Sequence, residues 1–143
     1  MIDKETGNII FDKDLVINIK SDFDSVSKMG LGESQDVDDI GNGWIWLRIK
    51  NISNSGYFFN ISFAFKKQIL KELCIIVSDK KFDSDSNWTD WTEQKELDDL
   101  VFYKDWLNKE VGKQREFDWG QIWADYDRKG GSSSIGLRYK DNN

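Results

Sequence analysis

The sequence predicts an α+β fold: a mainly antiparallel sheet of about seven strands with one long helix packed on one face. Three observations carry this reading. Three alternating apolar runs in the centre of the chain are joined by short polar links. One stretch after them, at about residues 90–111, has apolar residues at helical spacing. The chain then closes on two further alternating runs separated by Arg128-Lys129-Gly130-Gly131-Ser132-Ser133, a hairpin with a longer loop. Strands grouped before and after a single helix, without strand–helix alternation, point to α+β layers.

At 143 residues the chain is expected to form a single domain over 1–143. The first element is a hairpin. Ile9-Ile10-Phe11 and Leu15-Val16-Ile17 flank an Asp12-Lys13-Asp14 turn. Residues 21–43 are polar, with Val26, Met29, Leu31, Val37 and Ile40 irregularly spaced. Apart from one helical turn after Asp22 they read as loop, long enough to imply either further order or mobility.

The central meander follows. Ile45, Leu47 and Ile49 share one face of the first strand, Phe59, Ile61, Phe63 and Phe65 one face of the second, and Leu73, Ile75 and Val77 one face of the third. In the helix, Leu97, Leu100, Val101, Lys104, Leu107 and Val111 recur at helical spacing, while Phe102 and Trp106 widen the apolar arc. Asp90 with Glu93 fits a capping box, and Gly112 is placed to end the helix. In the closing hairpin Ile122, Ala124 and Tyr126 face the core with Ile135, Leu137 and Tyr139.

Alternation then forces Trp44, Trp46, Arg48, Lys50, Phe58, Asn60, Ser62, Trp119, Trp123, Asp125 and Arg138 onto the side away from the helix. Two readings follow. These residues form an interaction surface, where Trp and Arg are favoured anchors. Alternatively, the 21–43 segment or the curvature of the sheet buries the indoles as a second small core.

The chemistry of the chain points away from catalysis. No histidine is present, which removes the commonest general base and metal ligand. Asp83-Ser84-Asp85-Ser86-Asn87 has the spacing of a calcium loop, but Trp88 stands where glycine is needed and Gln94 where the bidentate glutamate belongs. Ser132, Ser133 and Ser134 lack an activating base, and Gly130-Gly131 lacks the Lys-Ser/Thr of a phosphate loop. No metal and no cofactor are expected. The lone Cys74 lies in an apolar run and reads as a buried structural thiol.

A net charge of −6 argues against nucleic acid as partner and suits a basic protein partner. Glu33, Asp36, Asp38 and Asp39, with Asp83 and Asp85, are candidate steering acids. No run approaches the ~20 apolar residues of a membrane helix, and no apolar leader follows Met1, so the expected address is cytoplasmic, without a membrane partner.

A resemblance adds to this. Thr6-Gly7-Asn8-Ile9-Ile10-Phe11, Trp88-Thr89-Asp90-Trp91-Thr92-Glu93, Trp106-Leu107, Phe117-Asp118-Trp119-Gly120 and Tyr126-Asp127 are similar to small uncharacterised bacterial proteins with a comparable Trp-Gly strand, Tyr-Asp turn and Ile-rich strand. Some of these resemble immunity proteins of polymorphic toxin systems. The similarity covers about half the chain and brings no catalytic residue with it. The expected function is a non-enzymatic protein-binding domain of the immunity type, with Trp44, Trp46, Arg48, Trp119, Trp123, Asp125 and Arg138 as partner-binding candidates. The alternative is a small-ligand or carbohydrate-binding module that stacks sugars on the Trp-rich face.

Overall fold

The computed structural model describes residues 1–83 and 91–140. Nine strands, two α-helices and one 3-10 turn (Asp12–Asp14) make an α+β fold among these residues. Strands β1 (Ile9–Phe11) and β2 (Leu15–Ile17) pair as the expected N-terminal hairpin, a small sheet of their own. Helix α1 (Phe23–Ser27) is the single turn after Asp22, whose carboxylate accepts the Ser25 N–H at 2.8 Å and caps it.

The main sheet contains β3 (Ser34–Gly41), β4 (Trp44–Asn54), β5 (Tyr57–Lys66), β6 (Ile69–Ser78), β7 (Glu116–Phe117), β8 (Gly120–Asp127) and β9 (Ser132–Tyr139). Its order is β3-β4-β5-β6-β9-β8-β7, antiparallel throughout. Seven strands agree with the expected count, but the membership differs. β1 and β2 stand outside the sheet, while β3 and β7 join it.

β3 corrects the reading of residues 21–43 as loop. All eight of its residues are exposed, so no apolar stripe marked it. The signal was in the turn. Asn42 and Gly43 have φ of 56° and 84°, the two positive angles of a two-residue hairpin whose twist matches the flanking strands. The same device recurs at Ser55-Gly56 (50° and 84°) and Lys67-Gln68 (50° and 74°), so β3 to β6 form one continuous meander.

Helix α2 (Glu93–Val111) begins at Thr92, whose hydroxyl accepts the Lys95 N–H at 3.1 Å; Asp90, the expected cap, lies outside the described residues. Gly112 ends it with φ 76°, as its position predicted. The buried side chains are Tyr103, Trp106, Leu107 and Val111. Val101, expected on the core side, is 69% exposed, because the face that meets the sheet is set by Trp106 against Phe59 (ring centres 5.6 Å apart).

The helix covers the β8–β9 end of one sheet face. The remainder of that face is covered by the N-terminal segment. Phe23 of α1 meets Phe65 edge-on at 5.7 Å, and the Asp12 N–H donates to Asn54 Oδ1 at 2.9 Å. One core results, holding Leu47, Ile49, Phe59, Ile61, Phe63, Phe65, Leu73, Ile75, Ile122, Ile135 and Leu137. Each such aliphatic or aromatic side chain contributes about 1.5–3 kcal/mol by leaving water. No described helix or strand packs over the opposite face. Among the described residues the loop after β6 reaches it, and the N-terminal half of α2 borders a cavity shared with Cys74 and Ile76. At that loop the buried Asn51, at a bulge in β4, accepts the Phe82 N–H (2.8 Å) and donates to the Phe82 carbonyl (3.0 Å). Among the described residues no helix is long and apolar enough to cross a membrane.

Candidate interaction face

Strand register determines which candidates meet. Reading across the uncovered face, one row of cross-strand partners runs Asp36, Arg48, Ser62, Cys74, Gly136 and Trp123. The adjacent row runs Asp38, Trp46, Ala64, Glu72, Arg138 and Gln121. Trp44 lies at the end of β4, paired with Lys66, and Asp125 at the end of β8, paired with Ser134. Six of the seven partner-binding candidates therefore share this face: Trp44, Trp46, Arg48, Trp123, Asp125 and Arg138.

They fall into two clusters, one on β4 and one on β8–β9. Four strand spacings separate β4 from β8, about 19 Å. Between the clusters the floor is built of small side chains, Ser62, Ala64, Cys74 and Gly136. Of these, Ala64 and Gly136 are buried beneath larger neighbours, while Ser62 and Cys74 are half-buried. Trp44, Trp46 and Trp123 are half-buried, and Arg48, Asp125 and Arg138 are exposed. Cys74 is thus a half-buried thiol on the open side, contrary to its reading as a core residue, because its parity in β6 places Leu73 and Ile75, not itself, under the helix.

Each cluster is organised by a cation. At the β8–β9 end the Trp123 indole lies across Gly136, where a Cβ would collide with the ring. The Arg138 guanidinium lies over the same ring at 5.8 Å, and its Nε donates to Glu72 Oε1 at 2.7 Å. At the β4 end Lys66 Nζ lies 5.5 Å from the centre of the Trp44 ring, and Arg48 pairs with Asp38 at 3.5 Å. These surface pairs contribute under about 1 kcal/mol each to stability, so their value lies in fixing side-chain directions. Glu72 and Lys66 were not among the expected site residues. Their parity was readable, but the placement of β6 beside β9 was not.

Trp119 is the exception. The structure buries it, at 8% exposure, beneath the N-terminal turn. Its Nε1–H donates to the Lys4 carbonyl at 2.9 Å, and its ring stacks on Phe117 at 5.1 Å. Gly7, at φ 76°, lies so close to the indole that no Cβ fits. The expectation failed because Asp118 and Trp119 form the link between paired Phe117 and Gly120, where strand alternation does not apply. Trp119 is therefore core, but of the main cluster and under the N-terminal turn, not a second small core made by the 21–43 segment or by sheet curvature.

The acids gather at the β3 edge. Asp36 and Asp38 point to the same side as Arg48 and Trp46, whereas Asp39 pairs with Ile45 of the other parity. Glu33 precedes the strand and accepts from Lys81 Nζ and Asn51 Nδ2, which holds its carboxyl below the usual range, Lys81 contributing most. Asp83 is exposed at the end of the Phe82 loop, and Asp85, with the remainder of the calcium-like spacing, lies outside the described residues.

In the central row Cys74 stands between Ser62 and Gly136, so register gives this thiol no base as a partner. Among the described residues no group of three His, Cys, Asp or Glu side chains is placed to hold a metal ion. No family model, no curated protein and no solved structure matches the chain.

Proposed function

We propose that the chain is a non-enzymatic protein-binding domain that engages a basic partner through its uncovered sheet face, as an immunity-type inhibitor of a toxin would. One observation carries the reading: two Trp/Arg clusters, Trp44-Trp46-Arg48 and Trp123-Arg138, bound a floor of small residues on a face that no described helix or strand covers. Trp and Arg concentrate binding energy at protein interfaces, and small residues between the two clusters let one partner approach both. The acids at the β3 edge give long-range attraction towards a positively charged surface.

The carbohydrate reading fits less well. Sugar stacking needs an open indole face, and here Lys66 and Arg138 lie over the Trp44 and Trp123 rings. Titration of intrinsic Trp fluorescence with a glycan panel separates the two. Quenching abolished by Trp123→Ala would establish the sugar reading in place of the protein one.

The direct test uses the gene adjacent to the one encoding this chain, since an inhibitor of this type is expected beside its target. The neighbouring product is expected to arrest growth when expressed alone and to be harmless when co-expressed with this chain. The Trp46→Ala/Trp123→Ala double variant, confirmed as folded by circular dichroism, is expected to lose that protection. Undiminished protection by the double variant, or a harmless neighbour, overturns the proposal.

A further inference from the structure

We propose that the outer edge of β3 is a second docking site, which takes an extended segment of alternating basic and apolar residues as an added antiparallel strand. The inference deepens the protein-binding reading and rests on it for the class of partner, but it concerns different atoms.

The two ends of the sheet are unlike. At the far end β7 has two residues, and the outer edge of β8 beyond it is partly occupied. The Ile122 N–H donates to the Arg115 carbonyl at 2.9 Å, and the Tyr126 N–H to Asp125 Oδ1 at 2.8 Å. β3, by contrast, presents eight residues with β4 on one side and no described strand on the other. Its outward groups follow from the ladder. The Lys50 carbonyl accepts the Glu33 N–H at 2.8 Å, so Lys50, Arg48 and Trp46 turn their backbone groups towards β3. Their partners Ser34, Asp36 and Asp38 turn inwards to meet them, which leaves Gln35, Val37 and Asp39 with N–H and C=O directed away from the sheet.

Natural edges of this length are commonly blunted by lysine, proline or a cover. β3 has neither lysine nor proline, and it has three aspartates. Pairing with a second copy of itself would bring carboxylate against carboxylate, so the charge disfavours self-association and selects a basic strand. Asp36 and Asp39 make no ion pair with any described residue, and Asp38 meets Arg48 at 3.5 Å. On the other side of the strand Val37 is 53% exposed, beyond the cover that α2 gives the sheet. An incoming strand with Lys or Arg beside Asp36 and Asp38, and a β-branched residue beside Val37, would satisfy both sides together with the backbone.

The test uses a capped synthetic peptide as long as β3 (8 residues), alternating Lys with Val or Thr, and a control of the same sequence N-methylated at alternate residues. The plain peptide is expected to bind and to slow amide exchange of Gln35, Val37 and Asp39 by about tenfold or more, since each N–H would gain a partner. N-methylation keeps the charge but removes donors, and is expected to lower affinity about tenfold. Val37→Pro, which removes an outward donor and leaves the β4 ladder in place, is expected to do the same. The Trp46→Ala/Trp123→Ala double variant should bind the peptide as the unaltered chain does, which separates failure of this proposal from failure of the face. Absence of peptide binding, equal binding of the N-methylated control, or protection elsewhere than β3 overturns it.

Discussion

The Arg138 guanidinium lies 5.8 Å from the centre of the Trp123 indole, and Gly136 beneath the ring leaves no room for a Cβ. A half-buried tryptophan is thereby held flat on a sheet face over which no described helix or strand packs. Gly136→Ala should displace the ring and destabilise the fold by about 1–3 kcal/mol, as overpacking does. In a Trp123→Ala background the same change should cost little. Urea unfolding of the four proteins measures the coupling, and strict additivity would show that ring and glycine do not interact.

Trp119 is expected to behave unlike the other tryptophans of the candidate set. Trp119→Ala should lower stability by about 3–5 kcal/mol through lost packing, and it also leaves the Lys4 carbonyl without its donor. Trp46→Ala, at a half-buried position, should cost clearly less. Equal losses by chemical denaturation would contradict the burial described above.

Asn51 ties β4 to β5, to Glu33 just before β3 and to the Phe82 loop through four hydrogen bonds: its N–H to Asn60 Oδ1, its side chain to Glu33, and two to the Phe82 backbone. Its φ of 53° is tolerated by asparagine and glycine but strained for alanine. Asn51→Gly should therefore lose the side-chain bonds alone, about 1–3 kcal/mol, and Asn51→Ala should be worse. Fast amide exchange at Phe82 in both variants is the accompanying signature.

Glu33 titrates below the usual carboxylate range because Lys81, and then Asn51, hydrogen-bond its charged form. A depressed folded-state value stabilises the fold above the unfolded glutamate range, and that contribution disappears as pH falls through the folded-state value. Lys81→Ala should move the Glu33 midpoint back upwards, as read by NMR titration of its carboxyl carbon. An unmoved midpoint would exclude Lys81 as the main cause.

Amide replacement of Asp36, Asp38, Asp39 and Asp83, all exposed, should slow association with a basic partner and flatten its salt dependence while changing the dissociation rate little. Stopped-flow measurements at two ionic strengths decide this. Unchanged association rates would remove the steering role.

The strands and the helix were readable because their signals are local. Period-two alternation in β4, β5, β6, β8 and β9, and the 3.6-residue recurrence in α2, need no knowledge of the rest of the chain. So does the opposition of Leu47 and Ile49 to Trp46 and Arg48. β3 was missed because an edge strand in water needs no apolar stripe, although Asn42-Gly43 marked its turn.

What the sequence by itself determined was the set of faces: which residues of each strand travel together. What only the tertiary structure decided was how those faces join. β9 sits between β6 and β8, so Arg138 meets both Glu72 and Trp123, residues of strands far apart in sequence. Trp119 turns inwards because the N-terminal turn, more than a hundred residues earlier, offers it the Lys4 carbonyl and a glycine to rest on. Alternation orders side chains along one strand, whereas strand order and burial depend on non-local pairing, which no window of sequence contains.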